Sequence, residues 1–320
     1  MEVVLYRTAG KPIQKHSGKW KLSTFSEMEE DAFFVTTFSK DKCYTFLKEE
    51  LNNEIEISNF NASLTVQETK EEYLRKLTTF RDEFEVKGIK KAIFSRVIEK
   101  SFNKNPVVLF EKLCAKYPTA FVYLISSKLF GTWIGATPET LLSFEKDRFS
   151  TMSLAGTKRD DSVAWTEKEI EEQQLVTDFI QEELTNLQVK DLNVSETFTT
   201  YTGSVFHLKT DISFQSSLIG WTNIANVLHP TPAVCGIPTK KAYAHILASE
   251  KHNRDFYAGI IGFKENKQLH TFVNLRCMQV HQNNVSLYVG GGITSKSIPE
   301  DEFLETENKA NTLLNVLQEI

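Results

Sequence analysis

Two Glu-x-x-Glu pairs, Glu169/Glu172 and Glu302/Glu305, carry the strongest hint of chemistry in this 320-residue chain. At about 100° per residue, Glu302, Glu305 and Lys309 of a C-terminal helix fall within about 60° of one another. Leu313, Val316 and Leu317 lie on that same side. Charge on the buried stripe of an amphipathic helix is costly unless it is paired or holds a cation. Taken alone, a solvated helix end with a Glu305–Lys309 pair is the simpler account. A second helix, Thr166 to Leu187, tips the balance. There Glu169 and Glu172 share the apolar side with Val176, Phe179, Ile180, Leu184 and Leu187, while Glu167, Glu171 and Glu182 take the opposite face. Two inward pairs on separate helices point to one divalent cation, and an all-oxygen set suits Mg²⁺ or Mn²⁺ better than zinc.

Other residues could act on a small molecule beside such an ion. Lys91 stands at the entrance of the strand KKAIFSRVIEK, on the face shared by Ile93, Ser95 and Val97. Glu139 follows Pro138 in a short turn between strands TWIGA and LLSF, where the fixed proline φ makes the backbone rigid. Gly156 and Thr157 end the strand MSLAGTKRD, and the run Gly290, Gly291, Gly292 follows VSLYV. Both are places where backbone N–H groups could meet an anion. The stiff segment LHPTPAVCG presents His229. Arg276 interrupts an apolar strand, where a guanidinium calls for an anionic partner.

The elements that must position these groups are legible in outline. VVLYR, DAFFVTTF, FVYLIS and VFHLKTDISF read as strands, and RDFYAGIIGF with LHTFVNLRCMQV as a hairpin. PVVLFEKLCAKY, SLIGWTNIANVL, KKAYAHILASE and Thr69–Phe84 read as helices, the last opened by a Thr69-x-x-Glu72 capping box. KCYTFLKEEL reads as a short helix. Ser297 and Glu300 have capping-box spacing, and Pro299 suits a first helical position. The composition, 41% hydrophobic and 25% charged with net charge −5 and no basic block, argues against nucleic acid or an anionic membrane as partner. No apolar run can span a bilayer, and the N-terminus lacks a signal-peptide layout. Scattered Cys43, Cys114, Cys235 and Cys277 favour reduced thiols and a cytoplasmic location.

From about residue 64 to 318 the chain resembles the chorismate-utilising enzymes, the family of isochorismate, anthranilate, aminodeoxychorismate and salicylate synthases. The resemblance rests on ordered segments: KKAIFSR, GATPETLL, LAGTKR, KEIEEQQLV, LHPTPAVCG through RDFYAG, and GGGI through ETENKA. It is nearest to the isochorismate-forming branch. LHPTPAVCG is similar to that branch's segment, Ala155 stands where aminodeoxychorismate synthases have a lysine, and Lys91 matches the lysine of the water-using branches. The resemblance implies one α+β domain over residues 1–320, residues 1–63 being a shortened N-terminal part. Its fold would be two antiparallel sheets face to face, with helices outside and the site between.

It also implies roles. Glu172 and Glu305 would hold Mg²⁺, with Glu169 and Glu302 bound directly or through water. Gly156, Thr157, His229, Tyr257, Arg276, Gly291, Gly292 and Lys309 would hold chorismate. Lys91 would activate the water that attacks C2, and Glu139 would protonate the departing C4 hydroxyl. Both acid–base roles call for pKa values moved towards neutrality. No glutaminase partner is implied; separately, the sequence shows no heptad or long exposed apolar face, which favours a monomer. Salicylate synthesis and an aminating synthase remain as alternatives. Gln173 departs from the family, which has histidine there; glutamine can hydrogen-bond but cannot titrate.

Overall fold

The computed structural model describes residues 2–28, 31–49, 57, 68–202, 205–217 and 219–320. Residues 58–67, where the resemblance begins, lie outside these. The early strands are β1 (Glu2–Arg7), β2 (Gln14–Ser23), β3 (Ala32–Thr36), β4 (Cys43–Glu49) and β5 (Lys91–Ser101). There follow β6 (Phe121–Ser127), β7 (Gly131–Thr137), β8 (Thr140–Glu145), β9 (Arg148–Lys158), β10 (Lys190–Val194), β11 (Phe198–Tyr201) and β12 (Phe206–Gln215). The last are β13 (Gly236–Ile237), β14 (Ile260–Glu265), β15 (Gln268–Val273), β16 (Cys277–Val280) and β17 (Asn284–Thr294). The helices are α1 (Lys70–Asp82), α2 (Phe84–Lys87), α3 (Pro106–Lys116) and α4 (Glu167–Asn186). Three more follow: α5 (Trp221–Leu228), α6 (Thr239–Ser249) and α7 (Pro299–Leu317).

Every pairing among these strands is antiparallel, and together they form one continuous ladder. From β12, whose outer edge carries β10 and β11, it runs β9–β8–β15–β14–β3–β4–β2. It continues β1–β6–β7–β16–β17–β5 and ends on β13. The ladder folds back on itself, so that strands far apart along it meet face to face. Phe121 of β6 stacks on Phe272 of β15 at 4.2 Å between ring centroids, and Tyr6 of β1 meets Phe263 of β14 at 4.8 Å. Two antiparallel layers with helices outside are therefore present as expected, but they are joined by hydrogen bonds through β3, β4 and β2.

Alternation along the strands fills two cores. On β1 and β6, Val4, Tyr6, Phe121 and Tyr123 face the space between the layers. Their neighbours Val3, Leu5, Val122 and Leu124 face outwards, where Leu109 and Leu113 of α3 and Leu313 and Val316 of α7 cover them. Burial on both faces also explains the misreading of KCYTFLKEEL. Cys43, Tyr44, Thr45 and Phe46 are all buried, Cys43 against Met28 and Tyr44 against Phe130 and Phe256, so the segment has no period-two signature and is a strand paired with β2 and β3, not a helix. The Thr69/Glu72 capping box forms as expected. The one expected at Ser297/Glu300 does not. Ile298 is the N-cap of α7 with Pro299 at its first position, and Ser297 Oγ donates to Glu302 Oε1 at 2.7 Å. No helix of the described residues is long and apolar enough to cross a membrane, and the four cysteines are buried and unpaired.

Candidate active site

A cavity opens between the layers, at the end where β5, β17, β9 and β12 approach α4 and α7. Lys91 and Glu139 both line it, each 3% exposed. Lys91 projects from the first position of β5, beside Ile237 of β13 and Thr294 of β17. Glu139 occupies the turn by which the chain crosses from one layer (β7) to the other (β8). Thr137 fixes that turn by donating from Oγ1 to the Val273 carbonyl at 2.5 Å. Burial pushes the Glu139 carboxyl up to about 8, an effect the Lys91 ammonium partly offsets. Glu139 is thus a carboxylic acid at neutral pH, able to give up a proton near that pH.

The residues expected to contact a substrate come from both layers. Gly156 and Thr157 of β9 line the cavity, and Gly156 has φ +64°, a conformation in which a side chain is strained. Its carbonyl accepts the Nδ1 proton of His207 at 2.6 Å. Because a carbonyl can only accept, His207 Nε2 is left as an acceptor, and Arg276 offers it an N–H at 3.4 Å. Burial, then the Arg276 charge, pushes the His207 imidazole down to about 3, so it stays neutral. Arg276 also donates to Thr312 Oγ1 on α7 at 2.6 Å. It sits between β15 and β16 with φ +48°, not within a strand. Sequence reasoning missed His207; a lone histidine in a strand has no spacing partner to mark it.

The glycine run works differently from expectation. Gly290, Gly291 and Gly292 are ladder residues of β17 paired with Ser95, Phe94 and Ile93 of β5, and none has positive φ. At Gly290 and Gly292 a β-carbon lacks room, whereas at Gly291 its nearest neighbour would be Glu302 Oε2 at 3.4 Å. At Gly290 it would lie 2.9 Å from the Tyr257 hydroxyl, and at Gly292 2.9 Å from Lys91 Cε. Both glycines line the cavity, whereas Gly291 faces α7. Gly292→Ala must therefore push Lys91 aside. We expect turnover to fall at least about tenfold while the melting temperature changes little, read by steady-state kinetics and calorimetry.

Two further expected site residues do not line the cavity. The His229 ring is buried and donates from Nε2 to the Ala258 carbonyl at 2.8 Å, so it orders its loop and is not a cavity wall. Ala233 and Val234 of that loop reach the cavity instead. Glu169 closes a capping box with Thr166, whose N–H it accepts at 2.9 Å, so its carboxylate serves its own helix start.

The remaining acidic residues form a cluster between α4 and α7. Glu172 and Glu305 line the cavity, and Lys309 Nζ lies 2.6 Å from Glu305 Oε1 while donating to the Gly290 carbonyl at 3.1 Å. Burial opposes ionisation of Glu305, but Lys309, then Lys168 and Lys91, hold its carboxyl below the usual range. Glu302 is 1% exposed and lies outside the cavity wall. Burial and then the Glu305 charge raise its carboxyl, and its Oε2 is buried with no hydrogen-bond partner. Among the described residues no three His, Cys, Asp or Glu side chains already converge tightly enough to hold an ion. The donor chemistry nevertheless fits a hard divalent cation: all the candidates are carboxylates, and one buried oxygen is unpartnered. Gln173 Nε2, buried beneath Glu172, donates to Ser153 Oγ at 2.8 Å and Thr210 Oγ1 at 3.1 Å, tying α4 to β9 and β12.

Comparison with known proteins agrees with this geometry. The sequence profile of the family described as chorismate binding enzyme matches residues 21–318. Isochorismate synthase EntC of Escherichia coli K12 is 31% identical over 244 residues, covering 71% of this chain and 62% of that protein. A putative isochorismate synthase, MenF of Mycobacterium tuberculosis, is 33% identical over 233 residues, covering 66% and 62%. This chain thus spans somewhat less than two thirds of these relatives. The crystal structure of a putative 2,3-dihydroxybenzoate-specific isochorismate synthase, DhbC of Bacillus anthracis, superposes with a TM-score of 0.84 at 21% identity, covering 99% and 96%. A profile match over most of the length, with the cavity between two antiparallel layers, places this chain in the chorismate binding enzyme family.

Proposed function

We propose that the protein is a Mg²⁺-dependent isochorismate synthase. The observation that carries this is the pairing, in one cavity, of the buried lysine Lys91 with an acid, Glu139, whose carboxyl is raised to about 8. Chorismate is a cyclohexadiene dicarboxylate with a C4 hydroxyl and an enolpyruvyl ether. Arg276 and Lys309 supply cationic contacts for its carboxylates, with Tyr257 and the Gly156–Thr157 backbone beside them. In its neutral amine form, Lys91 takes a proton from a water whose oxygen bonds to C2. The ring double bonds shift, the C4–O bond breaks, and Glu139 gives its proton to the leaving hydroxyl, which departs as water. Water gained equals water lost, so the product is an isomer and the exchange is nearly balanced. Mg²⁺ would be held by Glu172, Glu305 and Glu302, where it supplies positive charge to anchor and neutralise the ring carboxylate.

The test is incubation with chorismate and Mg²⁺, followed by chromatography. Isochorismate as main product supports the proposal; salicylate with pyruvate as main product, or turnover that requires ammonium, overturns it. In this reading the chain works as a cytoplasmic monomer without a glutaminase subunit. Ala155 in the cavity wall, in place of a nucleophilic lysine, favours water over a covalent enzyme adduct. Glu305→Gln should raise the Mg²⁺ concentration for half-maximal rate and lower the maximal rate by about tenfold or more, measured by magnesium titration of turnover. A normal magnesium response would remove Glu305 from the ion's ligands.

A further inference from the structure

We infer that Lys168 is a built-in counter-cation of the acidic cluster, holding Glu302 until a divalent ion displaces it. The inference rests on the metal reading above. Lys168 is in the first turn of α4 and Glu302 in the first turn of α7, and their ion pair (Nζ–Oε1 3.1 Å) ties the two helix starts together. The pair is asymmetric. The Glu302 side chain is 2% exposed and that of Lys168 46% exposed, so a fixed buried anion meets a cation on a flexible stem reaching in from solvent. The anion is also only half satisfied: Oε1 receives both Lys168 and Ser297, while Oε2 has no partner. A buried carboxylate with an unused oxygen gains when a second cationic contact arrives.

The neighbours point the same way. After Glu302, the carboxylates acting most strongly on Lys168 are Glu172 and Glu305, which line the cavity. Glu305 already has Lys309, so Lys168 is the ammonium shared by the rest of the cluster. Lys168 is not itself a cavity-lining residue, and it can withdraw into solvent without crossing the place where a substrate would lie. Lys168 therefore does two things: it limits repulsion among the carboxylates in the ion-free protein, and it competes with the ion for Glu302.

Magnesium binding to the full chain, by isothermal titration calorimetry at fixed ionic strength, tests this in the wild type, Lys168→Met and Lys168→Arg. Melting temperatures in EDTA and in excess Mg²⁺ give the second readout. The Met variant should bind Mg²⁺ roughly threefold to tenfold tighter, melt lower in EDTA, and gain more from Mg²⁺ than the wild type. The Arg variant, which keeps the charge, should stay near the wild type. In a Glu302→Gln background, Lys168→Met should leave the EDTA melting temperature nearly unchanged. Equal Mg²⁺ affinity in the Met variant and the wild type overturns the proposal. So does weaker binding, which would make Lys168 an aid to the ligands. A wild type that binds no Mg²⁺ defeats the metal reading itself, and with it this role for Lys168.

Discussion

Under the isochorismate synthase activity and base role proposed above, replacing Lys91 by alanine is expected to lower isochorismate formation by about 10²- to 10⁴-fold, the range over which a positioned general base acts. Lys91 is held by β17 on one side and β13 on the other, and Gly292 leaves room for its side chain to lie along the cavity wall. Truncation removes the base but leaves the contacts offered by Arg276, Lys309 and Tyr257. Chorismate binding, followed by calorimetry, should therefore survive within a few-fold. Loss in the maximal rate with little change in binding is the pattern of a group needed only for the chemical step. Unchanged turnover would remove Lys91 as the base. Lost binding with an intact maximal rate would make it a substrate anchor instead.

Glu139→Gln should cost a similar factor in rate and, in addition, stabilise the protein. Burial raises the Glu139 carboxyl in the folded state to about 8, well above its value in an unfolded chain. Below the unfolded pKa both states carry the proton and nothing is lost. As pH rises from about 4.5 towards 8, the unfolded chain releases the proton while the fold keeps it, so the wild type loses stability across that window. Glutamine does not ionise and escapes this loss. The variant should melt above the wild type at pH 8, by a stability difference on the order of a few kcal/mol, with the gap closing near pH 4. In the wild type the same acid predicts that turnover declines as pH passes about 8. Equal melting temperatures at pH 8 would mean that Glu139 is ionised in the fold.

Much of the site was legible because helix geometry is local. The phase that set Glu172, Glu302, Glu305 and Lys309 on inward faces needs only the chain's own spacing, and the structure brings Glu172, Glu305 and Lys309 to one cavity. Where local signals competed, the reading failed. Thr166 and Glu169 have the same capping-box spacing that Thr69 and Glu72 display, and the helix start takes the carboxylate that the apolar stripe assigned to a metal. His229 and the glycine run depend on distant partners. The ring is fixed by Ala258, and Gly290 and Gly292 are required by Tyr257 and Lys91, neither of which is near in sequence. The ladder's closure through β4 was hidden because a strand buried on both faces has no alternation to read.

That ladder also governs the order in which the chain can acquire structure. β14 and β15 are inserted between β3 and β8, and β17 between β16 and β5, so strands made early wait for partners made last. Until the C-terminal third exists, the edges of β3, β5, β7 and β8 offer unpaired backbone groups to any neighbouring strand. Non-local pairing of this kind slows folding and leaves a growing chain open to self-association. Shortening the chain from the C-terminus therefore removes partners from strands near its beginning.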